Sequence, residues 1–166
     1  MRIYKTVLGI DPGLATTGFA VIKKDGNCIQ PINYGIISTK AGEDFASRLE
    51  KIYKELNKII KKYKPEAAAC EELFFCKNVK TALAVGQARG VILLAIKHHK
   101  LPLLEFTPLQ VKQSLTGYGQ ADKKQIQYMV SLLLNMKKPV KQDDTADALA
   151  IALSCLQNIN SPLYAK

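Results

Sequence analysis

The sequence predicts an α/β fold with a mixed five-stranded sheet flanked by helices on both faces, and three observations carry that prediction. Apolar, β-branched runs broken by Pro12-Gly13 and Asp25-Gly26 open the chain as a meander of strands. An amphipathic helix follows. Beyond it, two short apolar runs alternate with segments of helical period, the pattern of strands joined by crossover helices.

The elements follow in order. Thr6 to Ile10 reads as a buried strand that ends on Asp11, and Phe19 to Ile22 as its returning partner. Cys28 to Thr39 is a third strand weakened by Pro31, which cannot donate to a ladder. Phe45, Leu49, Ile52, Tyr53, Leu56, Ile59, Ile60 and Tyr63 recur at helical spacing behind Asp44 as N-cap, and Lys64-Pro65 ends that helix. Ala67 to Cys70 is a fourth strand leading into Glu71-Glu72. Asn78 to His99 is helical, with Gly86, Ala88 and Gly90 forming a small-residue face suited to tight packing or a dimer contact.

Leu103 to Phe106 is a fifth strand, Leu109 to Leu115 a short helix, and Gly117-Tyr118-Gly119 a mobile loop. Asp122 and Gln125 form a capping-box pair, and the helix they start carries Ile126, Met129, Val130, Leu133 and Leu134 as far as Lys138-Pro139. Asp143 or Asp144 caps a last helix, Thr145 to Leu156, apolar nearly all round and therefore buried against the sheet. Residues 1–158 are read as one domain and 159–166 as a frayed tail.

Composition narrows the function. An apolar fraction of 48% with 23% charged residues is that of a soluble globular protein, and no apolar run is expected to approach the roughly 18 residues of a membrane span. No signal-peptide pattern precedes the first strand, so the expected compartment is the cytoplasm, with no membrane partner. Cys28, Cys70, Cys76 and Cys155 lack metal-site spacing and read as reduced thiols. The net charge is +10, and between Glu72 and Lys141 the only acids are Glu72, Glu105 and Asp122. Such one-sided charge favours a polyanion, although a lysine-rich proteome would produce it too.

The acids that remain are clustered by type and place. In sheets of this kind functional groups lie outside the carboxyl ends of the parallel strands, where Asp11 and Glu71 fall. Asp144 and Asp147, three residues apart, share a helix face. Each has a bland reading: Asp11 as an Asx-turn acceptor, and the helix acids as partners of the helix dipole. The dipole explains Asp144 better than Asp147, which is embedded in TADALAIAL. Together, four acids from three elements would form an all-oxygen cage for Mg²⁺ or Mn²⁺. Two such ions about 3.5–4 Å apart serve in-line phosphodiester hydrolysis.

The segments GIDPGLATTGFAVI, CEELFFCKNVKTALAVGQARG, VKQSLTGYGQADKKQIQYMV and QDDTADALAIAL together resemble the RuvC Holliday-junction resolvases over nearly the whole chain. The resemblance implies a ribonuclease H-like fold. It also implies a homodimer that cuts two strands of a four-way DNA junction symmetrically in Mg²⁺, leaving 5′-phosphate and 3′-hydroxyl ends, in partnership with the RuvA and RuvB branch-migration proteins. It places the acidic tetrad on Asp11, Glu71, Asp144 and Asp147, with Asp11 bridging two metals. Glu72 stands where many members have Gln. Phe74 matches an aromatic that stacks on an unpaired base, and Lys112 and Lys123 match basic residues near the scissile phosphate. The pair His98-His99 sits near a helix end, with solvation its expected role, and Arg89 is open to the partner subunit or DNA.

Two other readings compete. DPGLATTG also looks like the phosphate-binding turn of actin-like and sugar-kinase ATPases, but those need two such domains and a nucleotide cleft, and 166 residues supply one. A noncatalytic junction-binding module would be expected to have a broken tetrad, and all four acids are present.

Overall fold

The structure, a computed structural model, describes residues 4–72 and 79–159. Strands β1 (Thr6–Asp11), β2 (Thr16–Asp25) and β3 (Cys28–Ser38) form the antiparallel meander; β4 (Ala67–Glu71) and β5 (Leu103–Phe106) add in parallel, giving the sheet order β3-β2-β1-β4-β5. Pro31 sits on edge strand β3 beside a register shift. Val21 pairs with Asn33 and Ile22 with Pro31, so Ile32 is the extra residue of a bulge.

Side chains alternate across this sheet, and the two faces receive different helices. Leu8, Ile10, Phe19, Val21, Ala68 and Cys70 pack against α1 (Phe45–Tyr63) and α2 (Val79–His98). Val7, Ala20, Ile22, Ala67 and Ala69 face the other way, onto α5 (Asp143–Ile159), with α3 (Pro108–Thr116) and α4 (Lys123–Leu133) covering that side. Helix α5 lies directly on the strands. A Cβ at Gly9 would overlap the backbone of Ala148 and Ala152, and one at Gly18 the carbonyl of Asp144. This close approach is why the helix is alanine-rich, and it sets Asp144 over Gly18, the residue paired with Asp11.

The helix ends follow local chemistry. The Asp44 carboxylate accepts from Ser47 N–H at 3.0 Å, and Lys64 closes α1 in the left-handed region, donating to the Ile60 carbonyl at 2.9 Å. Thr107 with Gln110 and Asp122 with Gln125 form capping boxes for α3 and α4.

Three expectations need correction. Helix α4 ends at Leu133 rather than near Lys138, because Asn135 turns into the left-handed region with φ of 50° and Met136 N–H reaches back to Ser131. Helix α5 begins earlier than expected. Asp143 and Asp144 lie within its first turn, and Gln142 precedes it, accepting from Ala146 N–H and, at its side chain, from Thr145 Oγ1. Finally, α2 is long and apolar enough, by length and composition alone, to cross a membrane. Its Ala88, Ile92, Ala95 and Ile96 instead lie in the core against α1 and the sheet.

Candidate active site

Alternation along the strands aims the first two acids. Asp11 follows Val7 and Gly9, and Glu71 follows Ala67 and Ala69, so both project to the α5 side of the sheet. Strands β1 and β4 are paired, with Ile10 opposite Cys70, which sets Asp11 and Glu71 side by side at the strand ends. Asp144 and Asp147 occupy the start of the helix above them. Glu72 lies beyond β4, exposed, with its N–H bonded to the Phe106 carbonyl at 2.8 Å.

The acids and Lys123 influence one another's charge. Burial, then the charges of Glu71, Asp147 and Asp144, push the Asp11 carboxyl up to about 8, while Lys123 opposes the rise. Burial, then Asp147, pushes Glu71 to about 7. Asp147 is raised by burial first, with Lys123 again opposing and Asp143 and Asp144 adding to it. The four acids and Lys123 therefore occupy one electrostatic neighbourhood.

Two cavities open onto it. One of about 240 Å³ is lined by Glu71, Asp147, Lys112 and Lys123 with Val111 and Ile126. The other, of about 530 Å³, is lined by Asp11, Asp144, Arg48 and Lys80. Lys123 also pairs with Asp143 at 2.7 Å, an exposed contact of small energetic weight. Phe74 lies outside the described residues.

Among the described residues, no three His, Cys, Asp or Glu side chains converge at metal-binding distance. The four acids nevertheless gather at one end of the sheet, Asp11 and Glu71 on paired strand ends and Asp144 and Asp147 on the helix that lies over them. An all-oxygen donor set fits a hard divalent cation, and the part-buried Asp11 carboxyl, raised by burial and by its acidic neighbours, is the group such a cation would relieve.

Sequence reasoning left some neighbours unassigned. Arg89 lies inside the fold, its Nε donating to the Glu71 carbonyl at 3.0 Å and its Nη2 pairing with Glu105. Arg48 and Lys80 escaped notice altogether, since nothing in helical spacing distinguishes them from solvated residues. His98 and His99 brace α2 against α1 through Tyr53 and Asn57, both at 2.7 Å. Cys28, Cys70 and Cys155 are free thiols, and burial raises the last two to about 12.

The sheet order and the acids gathered beneath α5 define a protein of the ribonuclease H-like class. The family model described as Crossover junction endodeoxyribonuclease RuvC matches residues 7–155. The chain belongs to the RuvC family. It is 53% identical over 146 residues to the Thermosipho melanesiensis protein of that name, covering 88% of this chain and 93% of the relative. With the Brevibacillus brevis protein it shares 50% over 151 residues, 91% of each. Among solved structures it is similar to T. thermophilus RuvC in complex with Holliday junction substrate, with TM-score 0.86, 34% identity, and coverage of 90% of this chain and 92% of that one.

Proposed function

We propose that this protein is an endodeoxyribonuclease that resolves four-way DNA junctions by symmetric, metal-dependent phosphodiester hydrolysis, leaving 5′-phosphate and 3′-hydroxyl ends. One observation carries the reading: Asp11 and Glu71 end two paired strands beneath the start of α5, which bears Asp144 and Asp147, in a chain of net charge +10. A basic protein that gathers acids at one point suits a polyanion bridged by cations. Asp11, Glu71, Asp144 and Asp147 are the residues that would hold Mg²⁺ ions. When bound, these ions, for which Mn²⁺ substitutes, supply an activated water and stabilise the departing oxygen.

The remaining roles fall to the chain itself. Lys112 and Lys123, lining the cavity with Glu71 and Asp147, hold phosphate oxygens beside the cut. Phe74 stacks on an unpaired base at the crossover. Burial and the neighbouring acids push Asp11 and Glu71 above the usual carboxylate range, so metal binding there would be accompanied by proton release.

A symmetric junction calls for two such sites, and the outer face of α2 supports a homodimer. Val79, Leu83 and Leu94 are 80%, 64% and 50% exposed along one stripe of that helix, with Gly90 open between them. The chain acts as one domain over residues 1–158, in the cytoplasm, with the RuvA and RuvB branch-migration proteins as partners.

Incubation with a synthetic four-way junction and with linear duplex of the same sequence, in Mg²⁺ and in EDTA, tests the reading. Paired symmetric nicks on the junction, in Mg²⁺ alone, are expected. Equal cutting of duplex would overturn junction selectivity, and nucleotide hydrolysis without nicking would favour the ATPase.

A further inference from the structure

We infer that Arg48 is a phosphate-binding residue that grips the DNA strand on the flank of the acid cluster opposite Lys112 and Lys123. The inference rests on the nuclease reading and extends it to a residue on α1. The acids divide between two cavities, Glu71 and Asp147 lining one with both lysines, and Asp11 and Asp144 lining the other with Arg48 and Lys80. A strand whose phosphate is attacked at the acids must leave the cluster on both sides. On the α1 side, a cation is required to offset the phosphate that follows.

The hydrogen bonds around Arg48 leave its charge available. Its Nε donates to Thr39 Oγ1 at 2.8 Å, and the single Thr39 hydroxyl proton goes to the Leu14 carbonyl at 2.6 Å. Thr39 N–H bonds the Ala15 carbonyl at 2.9 Å. Arg48 is thereby tied to the turn that follows Asp11, with its orientation set by two residues of fixed backbone. That uses one of its five N–H donors. Among the described residues it forms no ion pair, whereas Arg89 is matched to Glu105 and Lys123 to Asp143. A half-buried guanidinium held at Nε, with its terminal nitrogens uncommitted to any carboxylate, is matched to a phosphate, which it can meet with two parallel hydrogen bonds.

The alternative is a strut that only braces the turn, and the variants separate the two. Arg48→Gln keeps an N–H donor for Thr39 and removes the charge; Arg48→Lys keeps the charge and removes the fork. Thr39→Val removes the brace, together with the hydroxyl's bond to the Leu14 carbonyl, and leaves the charge in place. Junction affinity is measured in EDTA as a function of salt, with melting temperatures alongside. Arg48→Gln is expected to bind roughly 10-fold more weakly and to flatten the salt slope by about one ion. Arg48→Lys retains the slope, and Thr39→Val changes stability without changing it. Junctions carrying one neutral methylphosphonate at each position around the cut then identify the contact: the parent loses affinity at a position where Arg48→Gln loses none further. An unchanged slope for Arg48→Gln, or losses that add at every methylphosphonate, would overturn the inference while the parent still nicks the junction. A parent that neither binds nor nicks the junction would overturn the nuclease reading on which it depends.

Discussion

Arg89 Nε donates to the carbonyl oxygen of Glu71 at 3.0 Å, so the end of β4 that carries a candidate metal ligand is held by a side chain from α2. The same guanidinium pairs with Glu105 on β5, and its side chain is 18% exposed against 40% for Glu105. Arg89→Ala should therefore release the strand end and leave two acceptors without their donor. A cost of about 1–2 kcal/mol is expected, lowering the melting temperature by roughly 2–8 °C. Cleavage should fall further than junction affinity, because Glu71 moves while the basic surface remains. Calorimetry and junction cleavage on the same preparation check this; a melting point equal to the parent's would show that the clamp is idle.

Cutting and binding should separate at the acids. Asp11→Asn, Glu71→Gln and Asp147→Asn each remove negative charge close to phosphate. Cleavage is expected to vanish, with junction affinity within a few-fold of the parent or tighter. A folded variant that loses both would mean the acid holds the DNA-binding surface together.

Lys112 and Lys123 should behave as phosphate contacts and Phe74 as a stacking residue. Each lysine changed to Ala should slow cleavage on any junction sequence and reduce the salt slope by about one ion. Phe74→Ala should lose roughly 1–3 kcal/mol of stacking with the salt slope unchanged. A changed slope for Phe74→Ala would refute stacking as its role.

The metal-free protein should lose stability as pH rises. Asp11 moves from an ordinary 3.8 to about 8 on folding and Glu71 from 4.5 to about 7, so between those limits the folded chain binds protons that the unfolded chain has released. Stability then falls with rising pH, by up to about 1.4 kcal/mol per unit for one fully titrating group. In EDTA, the melting temperature at about pH 5.5 should exceed that at about pH 8, and Asp11→Asn should shrink the difference. A parent more stable at the higher pH, with the variant following the same curve, would contradict the buried-acid description.

Much of this architecture could be read in advance because its signals are local. The continuous apolar runs Thr6 to Ile10 and Ala67 to Cys70, whose side chains point to the two sheet faces with a period of two, and the Asp44, Asp122 and Pro65 boundaries involve neighbours a few residues apart. The same period of two explains why Glu71 joins Asp11 on the α5 side while Glu72 lies past the strand. The missed features depend on distance. The apolar spacing of α4 continues through Leu134, so only the turn at Asn135 reveals where the helix stops. Arg48 and Arg89 look like ordinary helix cations until Thr39 and Glu105 are brought against them by the tertiary fold.

Thermal unfolding of the parent and Asp11→Asn, each with Mg²⁺ and with EDTA, decides whether the four acids form a metal-dependent centre. Relief of carboxylate repulsion worth about 1 kcal/mol should raise the melting temperature of Asp11→Asn in EDTA by roughly 2–4 °C over the parent. Mg²⁺ should stabilise the parent more than the variant, since an ion that binds only the folded state adds stability by mass action. An Asp11 that merely accepts backbone N–H groups in its turn would give an Asn variant no more stable than the parent, and a Mg²⁺ shift of equal size in both proteins would contradict the metal centre.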